Sequence, residues 1–199
     1  MLKQFVLATS LLAIAGVASA NLTFKAGVGY LDPTSDKNIN DELTTAKVSS
    51  EVALLPSFDY RFGDTPFSVE LLLATPFEHT VNTTSEGDVA KFKHLPPTLT
   101  AKYNTPSFNG FSANVGVGAT YLIPFEEELI GGGGKLEAKK TVAPAAQIGV
   151  TYTPSNSPWG VFADVRYADL KTDLKLDGAK IGELEVNPVV YSIGVSHKF

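Results

Sequence analysis

The chain has no cysteine in 199 residues. That excludes disulfide staples and thiolate metal sites, and it is compatible with an exported bacterial protein. Basic residues are outnumbered, 16 Lys and Arg against 21 Asp and Glu, which argues against a general nucleic-acid binder. After its first twenty residues the chain has no apolar run approaching the ~18 residues of a transmembrane helix. Helical periodicity is also scarce.

The first twenty residues read as a targeting segment. Lys3 gives a positive start, Phe5 to Val17 is mostly apolar, and Ala18-Ser19-Ala20 is a small-residue cleavage pattern. The apolar part is short for a membrane helix, although an uncleaved anchor is the alternative. The expectation is a signal peptide over 1–20, with cleavage after Ala20 leaving 179 residues from Asn21. Losing Lys3 with it leaves 15 basic and 21 acidic residues, a formal charge of −6.

What the chain does have is alternation with a period of two. Eight segments show it, at 22–30, 49–63, 66–78, 94–104, 110–125, 141–154, 159–172 and 186–199, each bounded by Gly, Pro, Asn, Asp or Ser. Their connections alternate in length. Long ones cover 31–48, 79–93, 126–140 and 173–185; short ones are Gly63-Asp64-Thr65, Asn104 to Gly110 and Pro154 to Pro158. Long loops at one end and tight turns at the other predict an all-β fold, an eight-stranded antiparallel up-and-down transmembrane β-barrel with four long extracellular loops. A soluble barrel shares the strand count but needs a more polar outer face.

One face of the second, third, fifth, sixth and seventh segments is almost free of charge. Val52, Leu54, Pro56, Phe58, Tyr60 and Phe62 share a side of the second; Phe111, Ala113, Val115, Val117, Ala119 and Tyr121 share a side of the fifth. A lipid-facing surface requires this. The aromatics are also sorted by height. Tyr60, Phe62, Phe67, Tyr103, Phe111, Tyr152, Trp159 and Phe199 fall near the short turns, and Tyr30, Phe77, Tyr121 and Phe125 fall toward the other end. Amphipathic rings collect in this way at the two membrane interfaces. The ending, Tyr191 to Phe199, resembles the sorting signal of outer-membrane barrel proteins, with His197 where an aromatic is more usual. Phe199 is thus expected to meet the barrel-assembly machinery.

The opposite face changes along the strands. Near the short turns it carries Lys25, Asp59, Arg61, Glu70, Lys102, Asp164, Arg166 and Lys198. An eight-stranded barrel is just wide enough for side chains to fill it, so these charges must pair or meet water. They read as a periplasmic plug, with an open ion pore as the other possibility. Toward the long loops the same face holds Leu55, Leu72, Ala74, Leu122, Ala143, Ala145, Ala168 and Leu170. Such a lining suits a small hydrophobic molecule, though it also suits ordinary packing of the upper barrel.

Pro96 and Pro97 break the fourth segment on its loop side. Two adjacent prolines remove one backbone donor toward each neighbouring strand. A molecule held above a charged plug could leave through such a break into lipid, so the pair is the candidate lateral opening. The prolines could instead mark a late strand start after a long loop.

The stretch "VELLLATPFEHTVNTTSEGDVAKFKHLPPTLTAKY", 69–103, closely resembles the OmpW family, whose members show a similar VELL-ATPF-H block, a GD-A element and an HLPPT strand start. Weaker likeness extends to Phe58 and Tyr60, to residues 116–119, to Tyr167 and Asp169, and to Phe199. The resemblance implies a Gram-negative outer-membrane barrel with a narrow hydrophobic channel, passing small hydrophobic molecules with lateral release. It places a channel-lining leucine at Leu72 and matches the proline pair. One departure is Arg166, where some relatives carry an aromatic; this bears on the lower limit of the apolar channel and favours the plug. The expected partners are outer-membrane lipids, lipopolysaccharide and small hydrophobic molecules, with no nucleic acid and no cofactor.

Enzyme chemistry finds little support. His79 and His94, with Glu78 and Asp88, flank one long loop without a ligand spacing such as HExxH, and they read as a polar rim with Lys93. No nucleophile motif is present. Residues 131–134 lack the context of a phosphate loop, Glu126 to Glu128 and Lys139-Lys140 read as solvated loop charges, and Asn82-Thr83-Thr84 is a glycosylation pattern irrelevant to a bacterial chain. The competing function is a non-transporting surface barrel, structural or a receptor for phage or toxins.

Overall fold

A computed structural model describes residues 21–34, 46–83, 87–129 and 136–199. The expected signal peptide, Thr84 and residues 131–134 lie outside them. The strands, in chain order, are β1 (Leu22–Pro33), β2 (Ala46–Val48), β3 (Glu51–Arg61), β4 (Phe67–Leu72), β5 (Phe77–Thr83), β6 (Gly87–Leu95) and β7 (Thr98–Asn104). They continue with β8 (Phe111–Leu129), β9 (Leu136–Ala138), β10 (Thr141–Tyr152), β11 (Trp159–Ala168), β12 (Lys171–Leu176), β13 (Ala179–Glu185) and β14 (Pro188–Lys198).

Eight of these close a ring. The order is β1-β3-β4-β7-β8-β10-β11-β14, every neighbour antiparallel, with β14 returning to β1. Each of the eight strands has a paired neighbour on both sides, as a β-protein that spans a membrane requires. The short turns carry the residues such turns need. Asn109 and Gly110, with φ of 49° and 86°, form a two-residue reversal held by reciprocal Phe108–Phe111 bonds, the Asn-Gly hairpin signature.

Side-chain parity follows the pleat. On the outside, Val52, Val117, Val142 and Ile193 are 64–68% exposed, as lipid-facing residues must be in an isolated chain. The lower girdle packs ring on ring, with Phe67–Tyr103 centroids 5.8 Å apart and Phe111–Tyr152 4.6 Å apart. His197 fits into this girdle between Trp159 and Phe199, at 4.5 and 4.8 Å. Tyr30 and Tyr121 are exposed higher up, together with Tyr167 and Tyr191. The side chains of Phe77 and Phe125 lie outside the described residues.

The long connections are not simply loops. A transmembrane strand needs roughly 9–11 residues, whereas β8 has 19, and its far part pairs with β6 from Leu95↔Ile123 to Ala90↔Leu129. β5 then pairs with β6, and β2 with β5. A second small sheet, β13-β12-β9, is made within 136–185. The stretches 79–93 and 173–185 mix charged, hydroxyl and apolar residues too evenly to stand out as strands in sequence. The first extends the barrel sheet outward, and the second belongs to the separate small sheet.

Candidate functional site: a divided interior and an interrupted wall

The lower interior is a closed charge network centred on Glu70, which is 1% exposed. Its Oε1 accepts from Ser57 Oγ at 2.9 Å and Arg166 Nη2 at 2.7 Å. Its Oε2 accepts from Lys102 Nζ at 2.6 Å, Lys25 Nζ at 3.3 Å and Gln147 Nε2 at 3.4 Å. Each cation also reaches a second carboxylate. Arg166 Nη2 is 2.9 Å from Asp164 Oδ2, Lys25 Nζ is 3.6 Å from the same oxygen, and Lys102 bonds Asp59. Three positive and three negative groups therefore balance within one layer.

Every barrel strand contributes to that layer. Lys25 comes from β1, Ser57 and Asp59 from β3, Glu70 from β4, Lys102 from β7, Gln147 from β10, Asp164 and Arg166 from β11. Asn114 of β8 accepts from Gln147 at 3.3 Å, and Ser192 of β14 accepts from Arg166 Nη1 at 3.3 Å. Lys25 further lies 4.7 Å over the ring of Phe162, a cation–π contact. Buried charges are costly unless they are paired; of these groups' buried atoms only Asp164 Oδ1 is left without a hydrogen-bond partner.

One pleat step above Glu70 the interior turns apolar. Leu31, Ala53, Leu55, Leu72 and Ala74 form a buried cluster with Val190 against it. Beside it lies a cavity of about 50 Å³ bordered by Leu55, Leu72, Ala74, Ala168 and Leu170, with Gln147 and Arg166 at its polar end. Ala145 borders it as well, whereas Leu122 and Ala143 are buried, each 2% exposed, away from it. Leu31 and Val190 belong to the apolar wall without having been singled out in sequence. His94 is not a solvated rim residue: it is 3% exposed and borders the cavity next to Pro96. The side chains of Glu78, His79 and Asp88 lie outside the described residues. Among the described residues no group of three His, Asp or Glu is placed to hold a metal ion.

The wall is broken where the prolines stand. β4 and β7 pair up to Leu72↔Thr98, and pairing resumes above at Phe77↔His94 between β5 and β6. Between them Leu73 to Pro76 face Leu95 to Pro97 with no paired residues. The other side of the prolines stays closed: Tyr121 N donates to Pro97 O at 2.9 Å, and Leu95 pairs with Ile123. N–H and C=O of one strand residue point the same way, so the donor missing at Pro96 is the one facing β4.

The loose groups find local partners. Leu73 N and Thr75 N donate to Pro56 O and Leu54 O at 2.8 and 2.9 Å, on the β3 side. Thr98 Oγ1 donates to Pro96 O at 3.1 Å and lies 2.8 Å from Thr120 Oγ1. A hydroxyl thus occupies the carbonyl that a sheet neighbour would otherwise take. The prolines do not mark a late strand start, because β6 precedes them as paired strand.

Below the charged layer is a polar vestibule of about 450 Å³. Arg61 and Lys198 are exposed along it. They lie below the network and make no ion pair with a described residue.

A sequence model of the OmpW family matches residues 18–199. The chain belongs to the OmpW family. It is 34% identical over 191 residues to outer membrane protein W of Vibrio cholerae serotype O1, covering 88% of this chain and 87% of that one. Outer membrane protein W of Escherichia coli K12 is 34% identical over 161 residues, covering 76% and 75%. Among solved structures, OprG from Pseudomonas aeruginosa superposes with a TM-score of 0.78 at 26% identity, covering 89% of this chain and 95% of that one. AlkL, solved in lipid bilayers, superposes with a TM-score of 0.68 at 25% identity, covering 93% and 92%. The protein is therefore an OmpW-family barrel of the Gram-negative outer membrane, with its apolar belt in contact with lipid.

Proposed function

We propose that this barrel passes small hydrophobic molecules from outside into the outer membrane. The observation that carries the reading is the combination of an apolar cavity, a charge-balanced layer beneath it, and a missing stretch of ladder at its side. A hydrophobic molecule gains about 25 cal/mol per Å² of apolar surface on leaving water. Crossing the Glu70 layer would cost it that gain and would also break buried ion pairs. Leaving sideways beside Pro96 and Pro97 costs neither. Leu55, Leu72, Ala74, Ala145 and Leu170 line the path, with Leu122 and Ala143 packing the wall behind; Lys25, Asp59, Glu70, Lys102, Asp164 and Arg166 form the plug.

The cavity is far smaller than the roughly 300–1,000 Å³ of ordinary ligand pockets. Passage thus requires the unpaired segment to widen, which is where the wall has fewest bonds to lose. Phe199 is assigned to recognition by the assembly machinery, and the strands beyond the barrel to the lipopolysaccharide layer. No chemical step is assigned to the protein.

The test is permeation of a small hydrophobic dye into cells lacking the native protein, with folded barrel matched by heat-dependent gel mobility. Wild type should speed permeation, and Leu72→Arg, which puts a charge in the cavity, should return it to the level of empty cells. Equal permeation in empty, wild-type and Leu72→Arg cells would favour the surface-receptor reading, to which the strands beyond the barrel would then belong.

A further inference from the structure

The charged residues of the lower barrel divide into two sets with different electrostatics. Lys25, Lys102 and Arg166 are neutralised by Asp59, Glu70 and Asp164. Arg61 and Lys198, one pleat step or more below them, have no such partner among the described residues, and both border the vestibule. The vestibule therefore carries two uncompensated positive charges. Its roof is the lower edge of the network, Lys25, Lys102 and Asp59, the last bonded to Lys102, and the rest of its lining is rich in hydroxyls and amides such as Ser112 and Asn114. Its volume of about 450 Å³ falls within the usual range for small-molecule sites.

We propose that the vestibule is a binding site for a small phosphate-bearing, hydroxylated molecule presented from the periplasmic side. Arg61 and Lys198 would hold the phosphate. Arg offers a planar fork of donors and Lys a compact charge, the pairing that suits phosphate oxygens. The hydroxyl and amide side chains would meet the ligand's own hydroxyls. The balanced layer above repels neither sign and closes the path upward, so the site retains a ligand and does not pass it into the apolar cavity. This assignment is independent of the transport reading, since it uses none of the residues around the cavity or the wall gap.

The chemistry has two possible sources, a free phosphorylated solute or the headgroup of a neighbouring phospholipid. The experiment uses the folded barrel in maltoside micelles, whose headgroups carry no phosphate. Glucose 6-phosphate, inorganic phosphate and glucose are titrated while backbone amide resonances are followed. The expected result is saturable shifts at Arg61, Lys198 and Ser112 with glucose 6-phosphate, weaker binding of inorganic phosphate, and none with glucose. Arg61→Gln or Lys198→Gln should each weaken binding about tenfold, the value of one charge-assisted hydrogen bond, and rising salt should weaken it in wild type. The charge-keeping pair Arg61→Lys with Lys198→Arg should retain binding, which separates the proposal from misfolding.

Repeating the titration in phosphatidylglycerol nanodiscs identifies the source. Shifts that survive there assign the site to a soluble phosphate, and shifts that vanish through competition assign it to the headgroup; both keep the site. Equal shifts with glucose and glucose 6-phosphate, or binding unchanged in the Gln variants, would overturn it.

Discussion

The lower and upper halves of the barrel interior are made by the same strands and solve opposite problems. On β4 the change takes two residues, from Glu70 to Leu72; on β3 it runs from Ser57 to Leu55. In the layer just below that line the charged side chains are paired. Glu70 alone has five donors, and the layer uses side chains from all eight strands. Above it the contacts are non-directional, a cavity remains, and one wall lacks part of its ladder. Directional pairing gives a rigid floor, whereas apolar packing beside unpaired backbone leaves room to adapt. On the proposed transport reading, the division of labour is between a floor that holds and a wall that widens.

The largest effect should come from breaking the floor. Glu70→Ala leaves three cations facing two carboxylates in a buried layer. Removing one partner of a buried ion pair costs about 3–5 kcal/mol. The expected outcome is a large fall in the urea midpoint of the folded barrel in micelles, followed by gel mobility. A change below about 1 kcal/mol would mean the layer is wetter and looser than its geometry says.

Two glycines sharpen the contrast. A Cβ at Gly149 would sit 1.9 Å from Asp164 Oδ1, and one at Gly29 would sit 2.2 Å from Leu55 Cδ1. The clashes are alike in distance but not in what must yield. Asp164 is held by Arg166, so Gly149→Ala should destabilise by about 2–3 kcal/mol. Leu55 ends in free methyls beside a cavity, so Gly29→Ala should cost about 1 kcal/mol and slow dye permeation by filling the space. Equal costs for the two would erase the proposed difference in rigidity.

The parity of the barrel strands was legible because lipid outside and side chains inside impose a strict period of two. That is also why Lys25, Glu70, Lys102 and Arg166 could be assigned to the interior. Parity does not give height or partner. Arg61 and Lys198 share the inward parity yet sit below the layer, because the stagger between strands sets which charges meet. Leu31 was missed since the alternating segment was ended at Tyr30. Thr98 was missed for a different reason: its role depends on one hydroxyl bending back to Pro96 O, a rotamer choice that no pattern reveals. The strands beyond the barrel, where mixed polar and apolar composition blurs the period, were read as loops.

The smallest effect lies out there. On the β12–β13 hairpin Lys180 Nζ donates to Asp173 Oδ1 at 2.5 Å. That hydrogen bond holds the Asp173 carboxyl below its usual value. A carboxylate with a lowered pKa contributes order above its ordinary pKa and loses it as pH falls through the lowered one. Amide protection factors in the hairpin, corrected for the intrinsic rate at each pH, should therefore fall in acid, more in wild type than in Asp173→Asn, while the barrel amides stay protected. Identical acid profiles in the two proteins would remove the pair from the account.

On the transport reading, the missing ladder beside Pro96 is the way out of the cavity. The direct measurement is dye permeation through the Pro96→Val, Pro97→Val double variant, with amide exchange at Leu73 to Leu99 read on the same protein. The donor restored at 96 should let the strand pair with its β4-side neighbour, and the one restored at 97 faces β8. Newly protected amides at positions 96 and 97 should appear together with permeation reduced toward that of cells lacking the barrel. Newly protected amides with permeation at the wild-type rate would contradict it, and hydrophobic molecules would then have to leave by another route.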